Sequence, residues 1–282
     1  MNRLFVENLT VIDFAFLHPR RGLVGESWIV DVELAGELDE QGMVFDFSSV
    51  KKIIKQVIDE TVDHCLAYPT DAPNLHVIDA AQVTLHWQLD DGSRIEHYSP
   101  RTALCPVPGT AINPDTLGPV LIAAIKGVLP GNVEDVELTL RPEVIEGAFY
   151  HYVHGLKKHL GNCQRIAHGH RSRLKVIRDD ARDTQLEATW ASQWQDIYIG
   201  TQEDICERFL ENDIPYLRFR YQANQGDFEL LVPEKRAYLI ATDSTVEWIA
   251  DHMATQIKQV HPQCRVRVQA FEGVGKGAIA ER

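Results

Sequence analysis

The sequence predicts an α+β chain made of two similar halves, each combining antiparallel strands with amphipathic helices. Three observations carry this. Segments rich in β-branched and aromatic residues read as strands, two long segments space their apolar residues as helices do, and the order of elements recurs in the second half. At 282 residues the chain is long for one core and comfortable for two domains of about 140 residues. The halves are set at 1–147 and 148–282.

Taken in order, Leu4 to His18 and Glu26 to Leu34 form a hairpin about a Pro-Arg-Arg-Gly turn. Val50, Ile53, Ile54, Val57, Ile58 and Val62 then lie at helical spacing, with Ser48 or Ser49 as the cap. A second hairpin spans Gln82 to His97 around Asp91-Gly92, a tight-turn pair. Pro119 to Leu129 reads as a helix and Val136 to Leu140 as a strand. The second half follows with a strand into His154, a strand from His168 and a short helix from Glu203 to Leu210. A hairpin from Leu217 to Leu231, a helix from Ser244 to Lys258 and a strand from Arg265 to Gln269 complete it.

Composition narrows the function. Asp and Glu outnumber Lys and Arg by 41 to 28, a formal charge of -13, which argues against nucleic acid as a ligand. No apolar run approaches a membrane span, and the N-terminal residues lack a signal-peptide pattern. Five Cys without disulfide spacing fit a reducing compartment, so a cytoplasmic protein is expected.

The segment from His154 to His170 is the richest in chemistry. His168-Gly-His170 opens an alternating strand, which puts both imidazoles on one face, and His154 ends another strand, with Cys163 between. Three His with an open fourth position is the pattern of catalytic zinc. The same residues read equally as ordinary surface histidines. His76, His86, His97, His151, His159, His252 and His261 are assigned no role and are expected at the surface or on turns.

These residues resemble the 6-pyruvoyltetrahydropterin synthase family and its bacterial relatives, the 6-carboxytetrahydropterin synthases. In the first half the likeness rests on Gly42-Met-Val-Phe-Asp-Phe-Ser-Ser-Val-Lys51 and Val62-Asp63-His64. In the second it rests on His154, Cys163, His168-Gly-His170, Ser244-Thr-Val-Glu-Trp-Ile-Ala250 and Glu272. The resemblance implies a tunnelling fold, with two tandem ββααββ domains whose antiparallel sheets assemble into a barrel, and a homo-oligomer. It implies Zn2+ held by His154, His168 and His170, Cys163 as base, and Asp63 with His64 moving protons. Glu272 and Thr245 would contact a small-molecule pterin substrate.

The first half departs from the family pattern. Val24 and Glu26 stand where His-Gly-His is expected, His18 reads as a remnant of a lost site, and the second half offers no Asp-His pair between Asp204 and Asp243. One composite site is therefore expected, with Asp63 and His64 meeting the zinc and Cys163 of the other half. Zinc and the nearby Arg165 would favour the thiolate. The implied reaction is a zinc-dependent carbon-oxygen lyase step on 7,8-dihydroneopterin triphosphate, giving 6-carboxytetrahydropterin or, alternatively, 6-pyruvoyltetrahydropterin. The reading from another class is a pterin- or purine-binding protein without turnover.

Overall fold

The structure, a computed structural model, describes residues 2–282. Its first half runs β1 (Asn2–His18), β2 (Gly22–Gly36), α1 (Phe47–Thr61), β3 (Leu66–Pro69), β4 (Leu75–Asp79), β5 (Val83–Gln88), β6 (Arg94–Ser99), β7 (Leu104–Val107), α2 (Pro114–Lys126) and β8 (Val133–Pro142). The second runs β9 (Phe149–His154), β10 (His168–Arg178), β11 (Ala181–Arg182), α3 (Thr184–Gln193), β12 (Ile197–Thr201), β13 (Ile205–Glu211), β14 (Ile214–Ala223), β15 (Gly226–Pro233), β16 (Ala237–Ile240), α4 (Val246–Val260), β17 (Val266–Phe271) and β18 (Gly277–Glu281).

Each half builds one sheet, ordered β7-β3-β1-β2-β8 and β16-β12-β9-β10-β17-β18. A third sheet, β13-β14-β15-β6-β5-β4, takes three strands from each half. It is joined where Glu229, Leu230 and Leu231 pair with Tyr98, His97 and Glu96. The cores follow the same division. Val50, Ile54 and Ile58 of α1 and Leu117 and Leu121 of α2 pack on the first sheet, and Ile249, Met253 and Ile257 of α4 pack on the second. A third core is shared, with Leu17 and Leu23 from one half meeting Val153, Ile166 and Phe219 from the other.

Several expectations need correction. Residues 203–210 are not a helix: a short 3-10 turn at Gln202–Asp204 leads into strand β13. Its Ile, Cys and Phe favour the pleated edge over a helix. The first helix of the second half is α3, which sequence reasoning missed because its apolar stripe is weak and Trp190 and Ala191 carry the burial. Asp46, rather than a serine, caps α1 by accepting from the Ser48 amide. Helix α2 starts earlier than expected, at a capping box in which Asn113 and Thr116 satisfy each other's backbone amides.

The two sheets cross at glycine. The β1–β2 and β9–β10 hairpins meet where Gly25 and Gly169 lie so close that a Cβ on Gly169 would sit 2.6 Å from the Gly25 Cα. A Cβ on Gly25 would lie 1.9 Å from the Tyr152 carbonyl oxygen. Only glycine allows this backbone approach. It brings the two central residues of Val24-Gly25-Glu26 and His168-Gly169-His170 together.

His97, expected at the surface, is 1% exposed in the shared core, and neither ring nitrogen has a hydrogen-bond partner. Burial lowers its pKa to about 3. Because the unfolded chain takes up the proton near pH 6.5 while the folded chain resists it, stability falls as pH drops from about 6.5 towards 3. His97→Leu removes that liability and the unpaired nitrogens. Chemical denaturation at pH 7 and pH 4 is expected to show the wild type losing about 3 kcal/mol more than the variant over that interval. Equal losses would refute the assignment.

Candidate functional site

The sheet register puts three histidines on one face. His154 of β9 pairs with His168 of β10, and Tyr152 with His170. This is the face that carries Tyr150 and Tyr152 into the core beneath α3 and α4. The three side chains are at most 1% exposed, and each offers a ligand atom within 4.8 Å of the others. The expectation of surface histidines is not met for this trio.

Oxygen acceptors orient the rings. His154 Nδ1 lies 2.9 Å from the Ser244 carbonyl oxygen, just before α4, and His168 Nδ1 lies 2.9 Å from the Arg165 carbonyl oxygen. A proton on Nδ1 leaves Nε2 with a free lone pair, the arrangement of a metal-binding imidazole. Burial, reinforced by the neighbouring histidines, drives the pKa of both well below the ordinary value, so both are neutral, as ligands must be. The Nε2 of His154 and both ring nitrogens of His170 have no hydrogen-bond partner. Such buried orphans cost about 1–3 kcal/mol each, and a cation among the three rings would satisfy the Nε2 of His154 and of His170. The residues fit a metal ion.

The first half reaches into this cluster. His64 lies ring to ring 5.0 Å from His168 and 6.5 Å from His170, and His64, Cys163 and His168 form a second group within 4.8 Å. Asp63 and His64, though adjacent in sequence, do pair: Asp63 Oδ2 is 2.6 Å from His64 Nδ1. The other Asp63 oxygen accepts from the Asp13 amide at 2.9 Å. Burial alone would lower the His64 pKa, but the neighbouring Asp63 and Cys163 outweigh it and raise it to about 10. A divalent cation on the adjacent His168 would lower that value.

His64 has a φ of 55°, and so does its counterpart in the second half, Asp196, at 56°. Each is the third residue past its helix, α1 or α3. The left-handed backbone is therefore a property of this helix-to-strand turn rather than of the chemistry. Arg165, expected to act on Cys163, instead turns its guanidinium to the first half. It donates to the Asp63 carbonyl at 3.3 Å, the Cys65 thiol at 3.0 Å and Gln225 at 3.0 Å.

Glu272 begins a turn against the cluster, with Oε1 4.0 Å from His170 Nε2. Its carboxylate has no hydrogen bond among the described residues. Thr245 caps α4, accepting from the Trp248 amide at 3.4 Å, next to the Ser244 carbonyl that holds His154. Thr245 thus shares the site's frame.

The equivalent place in the first half holds no such set of histidines. Register and face match Phe16 and Val24 to His154 and His168, and Phe14 and Glu26 to Tyr152 and His170. The third position is thus Phe16, and His18 is no remnant of a site. It lies at the hairpin turn, where Nδ1 accepts from the Arg20 and Arg21 amides at 3.1 and 3.2 Å. Arg21 closes this second seam with a bidentate pair to Asp196 at 2.8 and 2.6 Å. Burial raises the Glu26 pKa to about 7. His151, also expected at the surface, is 6% exposed, with Nδ1 2.7 Å from the Gly25 carbonyl oxygen.

Residues 11–85 match the family model described as 6-pyruvoyl tetrahydropterin synthase. The chain is similar to this family over that segment, which lies within the first half. The α+β architecture is its tunnelling fold in tandem, two ββααββ-type units in one chain. Among solved structures, a catalytic-residue mutant of the Plasmodium vivax 6-pyruvoyltetrahydropterin synthase shares 20% identity over 50% of this chain and 90% of its own, with a TM-score of 0.41. A further Plasmodium vivax structure of that synthase shares 18% over 50% and 97%, TM-score 0.38. The Plasmodium falciparum synthase shares 18% over 49% and 90%, TM-score 0.40. No curated protein matches the chain. Among the described residues no helix is long and apolar enough to cross a membrane.

Proposed function

We propose that this chain is a 6-pyruvoyl tetrahydropterin synthase-type enzyme, a zinc-dependent carbon-oxygen lyase acting on 7,8-dihydroneopterin triphosphate and forming a 6-carboxytetrahydropterin-type product. The observation that carries this is the meeting of His64 and Cys163 with the His154, His168 and His170 cluster across the two halves. In this reading residues 1–147 form a synthase-like domain without metal ligands and residues 148–282 the zinc-binding domain. A metal ion bound by the three histidines would supply Lewis acidity, making the substrate's side-chain hydroxyls more acidic.

The chain's own residues do the rest. Cys163 is the base that accepts a proton from the substrate side chain. His64, held by Asp63 at 2.6 Å, returns a proton, and Asp63 fixes its tautomer. Glu272 accepts hydrogen bonds from the pterin's amino and ring N-H groups, an acceptor role that its unengaged carboxylate can fill. Thr245, the cap of α4, stands next to the Ser244 carbonyl that faces His154 and would contact the same substrate. Open strands support a homo-oligomer: β7, β8, β16 and β18 each pair on one side only within this chain. Five free cysteines suit a reducing, cytoplasmic setting.

The test is direct. Zinc-loaded protein is incubated with 7,8-dihydroneopterin triphosphate and the products are followed by mass spectrometry. Release of the carboxy product is expected. Release of the pyruvoyl compound would change the product assignment, and tightly held pterin without turnover would replace the lyase by a binding protein.

A further inference from the structure

Of the three ligand-type histidines, His154 and His168 are oriented by backbone carbonyls of their own half. His170 is not. Its Nδ1 faces Oδ1 of Asp13 at 3.2 Å, and Asp13 belongs to β1 of the first half. The contact does not meet hydrogen-bond alignment, yet a carboxylate at this distance in a buried site acts strongly through its charge. We infer that Asp13 is a positioning residue for the metal site, a carboxylate supplied by one half to orient His170 and raise its basicity in the other. This inference rests on the zinc-site reading above.

Asp13 is 3% exposed, the lone charge in the apolar run from Val11 to Leu17. Such a group is costly unless paired. It is held on all sides: the Ser27 hydroxyl donates to Oδ1 at 2.5 Å and Lys276 lies 3.0 Å from Oδ2.

Its surroundings connect the whole site. The Asp13 amide donates to Asp63, the partner of His64. The Glu272 turn also rests on it, because a Cβ on Gly273 would fall 2.4 Å from Asp13 Oδ1. One residue therefore touches the support of a metal ligand, of the proton-moving histidine and of the proposed pterin anchor. The other seam shows the same geometry with the charges exchanged. There His151, the register counterpart of Asp13, faces Glu26, the counterpart of His170, at 3.8 Å. A carboxylate-imidazole contact across the crossing is thus built into both seams, and in one of them the imidazole belongs to the histidine cluster.

The experiment is zinc titration of the metal-free full chain against a chromophoric chelator, with the visible spectrum of the cobalt(II)-substituted protein as a second readout. Removing a carboxylate behind a ligating histidine typically weakens metal binding by about 10–100-fold. Asp13→Asn is expected to do so and to shift the cobalt band, while the far-ultraviolet circular dichroism of the metal-free protein stays that of the wild type. Zinc affinity within about twofold of wild type would overturn the inference. If Asp13→Asn does not fold, Ser27→Ala keeps the carboxylate but frees it, and a loss of about three- to tenfold is expected on the same basis; no loss again overturns it. His154→Ala separates the two claims: wild-type zinc affinity in that variant would sink the metal-site reading itself, and the role of Asp13 with it.

Discussion

Replacing His64 with alanine is expected to cut turnover of 7,8-dihydroneopterin triphosphate by about 10²- to 10⁴-fold, the usual contribution of a positioned acid-base group, while leaving zinc bound. The split is the informative part. His64 comes from the first half, beyond α1, and it faces Cys163 and His168 of the second. It is not one of the three histidines that cluster from β9 and β10, so the metal does not depend on it. Kinetics and metal analysis on the same preparation check this. Turnover at the wild-type level would show that the second half works alone, and that the composite site is wrong. Loss of metal together with turnover would make His64 a ligand.

Replacing His168 with alanine is expected to remove both. His168 is common to the two groups of potential ligands, being close to His154 and His170 and also to His64 and Cys163. Its loss leaves two of the three imidazoles, and a catalytic zinc site ordinarily uses three protein ligands. If the bound ion contributes several kcal/mol to the transition state, at about 1.4 kcal/mol per factor of ten in rate, turnover falls by about 10³-fold or more. Elemental analysis after dialysis reads the metal directly. Full metal occupancy in the variant would refute the assignment of the site.

Much of the frame was legible in the sequence, for reasons that differ between elements. Helices α1 and α4 carry regular apolar stripes, and hairpin β5–β6 has an Asp-Gly turn, so local pattern alone located them. Helix α3 was hidden because Trp190 and Ala191 are the apolar residues that it buries, and β13 was misread because Ile205 and Phe209, like Cys206 and Leu210, stand four apart as on a helix face. The histidine trio could be seen because strand alternation fixes which residues share a face. The burial of His97 and His151 could not, since it arises from contacts between halves distant in the chain.

The same limit hid Asp13. The signal was there, a single carboxylate among Val11, Ile12, Phe14 and Phe16, but its partner His170 lies across the hairpin crossing. The crossing itself depends on Gly25 and Gly169 meeting, a relation with no local sequence mark. His18 was misassigned for a related reason. The motif pointed to a histidine near the end of β1, whereas the register gives that place to Phe16.

The central claim is one metal site per chain, built by the second half and completed by the first. A crystal of the zinc-loaded protein, measured at the zinc absorption edge, tests it most directly. A single anomalous peak per chain is expected, among His154, His168 and His170, on the side facing His64 and Cys163. A peak beside Phe16, Val24 and Glu26, a second peak in the chain, or no peak at the histidine cluster would contradict it.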